Sequence, residues 1–292
     1  MKLFNTLLAA SALLCGLNAS AANLWIVGEA TSTGWSLDDA TALLSTNENP
    51  DVFTGTLYLK DSGTFKFLTT TDWGNEEIGS APDATLADGK INLAKGTNDE
   101  GYGQLSVGES ANYQITVDTA TLKATITKAE YQETEINLCS LFMVGSATEG
   151  DWSVDAGTPL FQNQEEPYVF AANNQAMKEG TFKIATVIKG GGTWDAKYWY
   201  FRDAEDADKI ALGQEGDIQW NIAKAEDYNI TVDILANTIS IKEAGSTSTS
   251  VQPAMAEEAS PEYYNLQGVK IANPTSGLYL RKVGNEVKKV IL

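Results

Sequence analysis

Each half of the sequence contains a lysine between two tryptophans. The two sets are Trp35, Lys66 and Trp73, and Trp152, Lys183 and Trp194. Trp73 lies in TTTDWGNEE and Trp194 in KGGGTWDAK, and in such polar surroundings we expect both indoles to be exposed. An exposed aromatic face can stack on the axial C–H face of a pyranose ring, while neighbouring amines, carboxylates and amides hydrogen-bond the hydroxyls. Trp35 and Trp152 are equally compatible with packing in a core.

The two lysines occupy equivalent positions in short apolar segments. In GTFKF (63–67) a regular pleat points the two phenylalanines to one side and Lys66 to the other, and GTFKI (180–184) repeats this with Lys183. We therefore expect each lysine on the outer face of a strand. An ordinary solvated lysine is the alternative, but its recurrence beside tryptophans favours a binding role.

These segments belong to an internal repeat. LWIVGEATSTGWS (24–36) recurs as LFMVGSATEGDWS (141–153), and YQITVDTATLKATITKA (113–129) recurs as YNITVDILANTISIKEA (228–244). Each copy is about a hundred residues long, which is the size of an independently folding domain. The repeat predicts two modules of the same fold.

The pattern within a copy is that of β-strands. Apolar and polar residues alternate through 113–117 and again through 122–127, which predicts a hairpin with one wet face. Only 37–44 has helical periodicity, and we expect one or two helical turns there. The predicted fold is all-β, with two tandem antiparallel β-sandwich modules and a short β-rich C-terminal tail.

The chain also contains segments outside the repeat. Lys2, an apolar run over 7–17 and Ala19-Ser20-Ala21 are typical of a signal peptide for export. The polar, proline-containing stretch after residue 245 indicates a linker. We expect a signal peptide over 1–21, a first module over 22–130, a second over 131–245, a linker over 246–262 and a tail over 263–292. After cleavage Cys139 has no partner for an intramolecular disulfide, and we expect a small buried side chain, with an intermolecular disulfide or a reactive thiol as the alternative.

Composition excludes several classes of function. The 292 residues include no histidine, which removes His-dependent nucleophiles and His-ligated metals. The formal charge of −19 disfavours nucleic acid and anionic lipid and suits a neutral polymer. We expect no cofactor and no metal. Two alternatives remain open. One is a carboxylate-dependent glycoside hydrolase, although few acids recur in both copies apart from Asp118 and Asp233. The other is a structural surface protein stabilised by calcium at Asp203, Asp206 and Asp208.

The order of the motifs resembles a known family. The motifs occur in the order strand-VG-A-T-GW, then GTFKF, DWGNEEIG and GESANYQITVD. In this order of motifs, residues 23–245 are similar to the tandem starch-binding modules of the SusE/SusF outer-membrane proteins. By position, the resemblance implies carbohydrate-binding sites at Trp35, Lys66 and Trp73, with Asn75 beside them, and at Trp152, Lys183 and Trp194. The aromatic–glycine pair that follows in the family is Ile78-Gly79 here.

The resemblance also implies a role and a location. It implies a non-catalytic protein that binds starch-like α-glucan at the outer-membrane surface or outside the cell. Such a protein is peripheral or anchored without a transmembrane helix, and its partners are outer-membrane glycan-uptake proteins. The tail from Tyr264, with NLQG, GLYL and a Lys-Lys pair, resembles the C-terminal sorting segments of type IX secretion cargo.

Overall fold

The computed structural model describes residues 22–188, 194–213 and 216–245, and beyond residue 245 the backbone of four strands. The predicted signal peptide, the predicted linker over 246–262 apart from its last residue, and the glycine run before Trp194 lie outside the described residues. The all-β prediction is confirmed, since helical structure within those ranges is limited to two 3₁₀ turns, Val154–Ala156 and Ala196–Tyr198. No helix in the described part of the chain has the length and apolarity needed to cross a membrane.

The first module consists of eight antiparallel strands. They are β1 (Asn23–Val27), β2 (Thr41–Thr46), β3 (Asn49–Leu59), β4 (Lys66–Leu68), β5 (Glu77–Ser80), β6 (Lys90–Gly96), β7 (Ala111–Asp118) and β8 (Lys123–Lys128). Their order is β1-β2-β3-β7-β8-β6-β5-β4, and β4 pairs with β1, so the sheet forms a closed barrel. The expected sandwich therefore has no open edge in this module. Its interior holds Phe65, Phe67 and Ile115, all fully buried.

The second module repeats this plan in an antiparallel sheet of nine strands. They are β9 (Ser140–Val144), β10 (Thr158–Gln162), β11 (Val169–Met177), β12 (Gly180–Ala185), β13 (Trp199–Arg202), β14 (Ile210–Leu212), β15 (Trp220–Ile222), β16 (Glu226–Asp233) and β17 (Thr238–Glu243). The order is β14-β13-β12-β9-β10-β11-β16-β17, with β15 paired to β12. Phe182, Ile184 and Ile230 lie in its separate core.

The repeated VG-A-T motif forms a turn that only glycine permits. Gly28 and Gly145 have φ of 145° and 154°, and a Cβ on either would lie 2.1–2.2 Å from a backbone oxygen of the facing strand. The hydroxyl of Thr31 donates to the Gly28 carbonyl at 2.9 Å, and Thr148 repeats this bond on Gly145 at the same distance. The motif recurs because it sets the turn that leads to the first tryptophan of each module.

The predicted hairpin is confirmed as β7 and β8, with Ile115 buried in the core. The recurring aspartates lie at the turns of this hairpin and of its repeat. Asp118 Oδ1 accepts the backbone N–H groups of residues 120 and 121, and Asp233 Oδ1 accepts those of residues 235 and 236. Both recur because they close a turn.

The helical prediction for 37–44 is wrong. Residues 37–39 form a bend, and β2 begins at Thr41. Leu43 points into the barrel, while Ala42 and Leu44 point outward and are buried against the second module. A strand that is buried on both faces reads as a continuous apolar run, and its spacing imitates that of a helix.

The two modules pack against each other through one apolar cluster. Ala42 and Leu44 of β2 meet Phe142, Val144 and Trp199 of the second module. Polar groups are satisfied across the same interface: the Gln162 amide binds both the N–H and the carbonyl of Thr56, at 2.6 and 3.0 Å. The Cys139 N–H donates to the Thr41 hydroxyl at 3.1 Å. The Cys139 side chain is buried, which confirms the expectation of a small buried side chain.

The residues from Gly245 onward form a separate unit. The part of this unit that the structure describes has four antiparallel strands, β18 (Glu262–Tyr264), β19 (Lys270–Ile271), β20 (Leu278–Val283) and β21 (Glu286–Ile291), in the order β19-β18-β20-β21. The prediction of a β-rich tail is confirmed.

Candidate functional site

The two tryptophans of the first module come together above the end of β4. The ring centroids of Trp35 and Trp73 are 6.5 Å apart, and their planes are tilted by 48°. Trp73 is 49% exposed, as expected, and Trp35 is half-buried and packs against the apolar cluster of Val27, Ala40 and Leu68. Together with Lys66 they line a cleft of about 370 Å³. The pair forms a concave aromatic surface that is open to solvent.

Lys66 lies beneath this surface, and not in solvent. Its side chain points away from the core phenylalanines, as the pleat predicts, but it is only 3% exposed. The alternative of an ordinary solvated lysine is therefore wrong, because the indoles cover the amine. The ammonium lies 5.7 Å from the centroid of Trp35 and 5.2 Å from that of Trp73, within the range of cation–π attraction.

Three oxygens surround the Lys66 ammonium. Its nitrogen is 2.7 Å from Asp99 Oδ1, 2.9 Å from the Tyr102 hydroxyl and 3.0 Å from Glu77 Oε2. Since an ammonium has three N–H donors, all are engaged within the protein. Lys66 thus holds the tryptophans and the carboxylates in place, and the polar groups that remain available to a ligand in the cleft belong to other side chains. Asp99, whose side chain is 66% exposed, is one of them.

Both carboxylates of this network are held ionised. Burial raises the pKa of Glu77, but hydrogen bonds from Tyr102 and Lys66 outweigh it and lower the pKa overall. The hydrogen bond from Lys66 lowers the pKa of Asp99. Burial, together with both carboxylates, raises the pKa of Tyr102, so its phenol stays protonated. A glycosidase needs one carboxyl group that remains protonated as a general acid, and neither of these two meets that requirement.

The second module builds the same aromatic surface. The ring centroids of Trp152 and Trp194 are 6.5 Å apart with a tilt of 45°, and Trp194 is 53% exposed, as expected. Lys183 lies beneath them, with its ammonium 5.9 Å from Trp152 and 5.1 Å from Trp194. It is also buried, and it pairs with Asp217 at 2.8 Å. The structure thus brings together all three predicted residues in each module.

The two sites differ in what supports the lysine. Strand pairing places Glu77 opposite Leu68, and in the second module Trp199 opposite Ala185, so Trp199 occupies the position of Glu77. Trp199 is fully buried and stacks on Trp194, with centroids 5.0 Å apart and planes at 13°. The Lys183 ammonium lies 4.4 Å from the Trp199 centroid. An aromatic ring therefore stands where the first site has the buried carboxylate, and Asp217 is the carboxylate that pairs with the cation of the second site.

Asn75 does not line the cleft. Its amide donates to the Thr70 hydroxyl at 3.0 Å, which closes the loop that presents Trp73. Sequence analysis missed the residues that do line it beside the tryptophans, which are Gly74, Glu77, Asn98, Asp99 and Gln104. Glu77 lies in the DWGNEEIG motif, so its strand position could have indicated it. Asp99 sits in a turn with φ of 59°, and no sequence pattern marks that turn as part of the site.

The aspartates proposed for calcium have other partners. Asp203 Oδ1 accepts the N–H groups of Glu205 and Asp206 at 2.9 and 3.0 Å, and Asp206 Oδ1 accepts that of Asp208 at 3.0 Å. They therefore order their own loop. Within the described ranges, no group of three or more acidic or cysteine side chains is arranged to hold a metal ion.

Comparison with known proteins supports the resemblance for the first module. Residues 23–131 match the sequence model of a family described as SusF/SusE starch specific CBMs, which confirms the resemblance there. Among solved structures, the chain is similar to the crystal structure of SusF from Bacteroides thetaiotaomicron, with 19% identity and a TM-score of 0.30. The similarity covers 77% of this chain and 48% of that one, so this chain spans about half of its length. No curated protein matches the chain.

Proposed function

We propose that this protein is a non-catalytic, exported starch-binding protein that holds α-glucan on two aromatic surfaces. The first surface consists of Trp35 and Trp73 over Lys66, and Asn75 fixes the loop of Trp73. The second consists of Trp152 and Trp194 over Lys183. The family that residues 23–131 match is described as starch-specific, and this supports the polysaccharide class for the first module.

The observation that supports an α-glucan most directly is the tilt of the tryptophan pairs. The two pairs have the same centroid distance, 6.5 Å, and tilts of 48° and 45°. A β-1,4 glucan is a flat ribbon and would contact a coplanar platform, whereas an α-1,4 glucan coils and presents successive rings at an angle. The duplicated tilt fits the coiled chain. The acidic charge of the protein does not oppose a neutral polymer.

Polar side chains beside the rings supply the hydroxyl contacts. Asp99 and Gln104 line the first cleft, and Asp217 and Gln219 lie beside Lys183 in the second module. The Gln219 amide donates to Asp217 Oδ2 at 3.2 Å, and Thr181 donates to Gln219 at 2.6 Å. These bonds fix the carboxylate before ligand arrives, which reduces the ordering cost of binding.

Affinity electrophoresis tests the proposal. We expect amylopectin in the gel to retard the wild-type protein, each of the variants Trp73→Ala and Trp194→Ala to be retarded less, and the double variant not at all. Leu235→Ala is the matched control, because Leu235 is 50% exposed, like Trp73, and lies outside both sites. It should migrate like wild type.

Three results would contradict the proposal. A folded double variant that is retarded as strongly as wild type would remove the aromatic surfaces from the binding role. Equal retardation by a soluble β-1,4 glucan would contradict the preference for a coiled chain. Release of reducing ends from amylopectin by the purified protein would contradict the non-catalytic assignment.

Residues 1–21 and the tail further imply export to the outer-membrane surface, where outer-membrane glycan-uptake proteins are the expected partners.

A further inference from the structure

The loops of the two sites meet at one carboxylate. Ser36 follows Trp35 directly, and its hydroxyl donates to Asp39 Oδ2 at 2.7 Å. The other oxygen of Asp39 accepts a hydrogen bond from the hydroxyl of Tyr198, which lies between Trp194 and Trp199 of the second site. Asp39 therefore connects the segment that presents the first tryptophan pair to the segment that presents the second.

The apolar layer below the two sites is also continuous. Trp25 on β1 is half-buried and packs on the cluster under Trp35. The same ring packs on the cluster at the module interface, together with Trp152 and Tyr198. The two clusters thus share the Trp25 ring, which links the apolar layer under Trp35 to the layer that contains Trp152 and Tyr198.

Hydrogen bonds between the two modules hold the interface beneath the two sites in place. Gln162 bonds to the backbone of Thr56, and Cys139 bonds to Thr41, with all four residues in the interface between the modules. Two sites held in this way need no ordering of a linker before one chain can reach both. The second contact is then intramolecular, and its effective concentration is not diluted by linker motion.

The junction offers polar groups suited to a sugar. The Lys197 side chain is 59% exposed, and its ammonium lies 4.4 Å from the centroid of the Tyr198 ring. The Tyr198 hydroxyl engages the ammonium and raises the pKa of Lys197. The distance from Lys197 Nζ to Asp39 Oδ1 is 4.0 Å, too long for a direct hydrogen bond, and the Tyr198 hydroxyl bonds to both groups. Because the ammonium has three N–H donors and its side chain is exposed, it can also donate to a ligand hydroxyl beside this network.

We propose that this junction is a bridging subsite, at which Asp39, Lys197 and Tyr198 hold a glucan chain that runs from the first tryptophan pair to the second. The inference rests on the proposed α-glucan binding. It adds that the two sites form one extended surface for a single chain, with a polar contact at the module boundary.

Calorimetric titration with a graded series of linear α-1,4 oligosaccharides tests this subsite. We expect two molecules of maltotriose to bind per protein. Above a threshold length, we expect one chain per protein, with affinity increased by about a hundredfold, the lower end of the gain from linked sites. Lys197→Ala should lower affinity for the long chain by about tenfold, the effect of one hydrogen bond to a charged group, and leave maltotriose binding unchanged.

The matched control is Lys209→Ala. Lys209 is 57% exposed and lies 4.0 Å from Asp206, like Lys197 and Asp39, but it is away from both tryptophan pairs. This variant should bind long chains as wild type does. The bridging subsite is overturned if maltotriose binds at both pairs with no length threshold, or if Lys197→Ala matches Lys209→Ala. Absence of maltotriose binding in the wild type overturns the proposed function itself.

Discussion

The two sites reach the same tryptophan geometry by different chemistry. In the first, the buried Lys66 is balanced by Glu77, which is itself only 2% exposed, and by Asp99. In the second, Trp199 takes the place of Glu77, with its ring centroid 4.4 Å from the Lys183 ammonium, and Asp217 is the carboxylate that pairs with that ammonium. The tilt differs by only a few degrees between the sites. The position under the tryptophans therefore requires a partner for a cation, and either a carboxylate or an electron-rich ring meets that requirement.

Glu77 and Trp199 also differ in what they contact besides the lysine ammonium. Trp199 stacks on Trp194 and packs into the module interface, so it fixes the exposed ring from below. Glu77 has no such contact with Trp73 among those described; it orients Tyr102 and the Asp99 backbone instead. We infer that the second site is the more rigid platform and that the first depends on its charges.

The largest effect is expected from Trp199→Ala. Removing a fully buried tryptophan should lower the free energy of unfolding by about 4 kcal/mol, measured by urea denaturation, and should abolish binding at the second site because Trp194 loses its support. Trp220→Ala, which empties the separate core of the same module, is the control: a similar loss of stability with maltotriose binding retained. Equal binding by the two folded variants would contradict the supporting role of Trp199.

The lysines should differ in their contribution to stability. Lys66→Met leaves Glu77 buried without its cation, and we expect a loss of about 3 kcal/mol in the free energy of unfolding. Lys183→Met leaves only Asp217, which is turned to solvent, among bulky rings that can pack against methionine, and we expect a loss of about 1 kcal/mol or less. Urea denaturation of both variants measures the difference, and equal losses would contradict the comparison.

The smallest effect is a dependence on pH that belongs to the first site. The pKa values of Glu77 and Asp99 are lowered in the folded protein, so both carboxylates stabilise it at pH above their unfolded values of about 4.3 and 3.9. This stabilisation is lost as the pH falls through the lower, folded values. Thermal unfolding followed between about pH 6 and 3 should show a shallower decline for Glu77→Gln than for wild type. Parallel profiles would show that Glu77 has no such linkage.

The sequence predicts the repeat, the strands and the three central residues of each site because these depend on local pattern. The side-chain period of two places Lys66 opposite the core phenylalanines, and recurrence places Lys183 with it. Glu77, Asp99 and Trp199 depend on which strands pair and in what register, and on a turn at 97–100. Such long-range pairing leaves no local signature. For the same reason the sequence places Lys66 outward but does not show that two loops cover it.

The reactivity of Cys139 can report how often the two modules separate. Its thiol is fully enclosed where the second module begins, its Sγ lies 3.2 Å from the Ala42 carbonyl, and burial raises its pKa to about 12. Because only the thiolate reacts with alkylating reagents, Cys139 can be labelled only after the interface between the two modules opens. The rate of Cys139 alkylation in the native protein therefore measures how often the two modules separate. A bound polysaccharide that spans both modules would lower this rate.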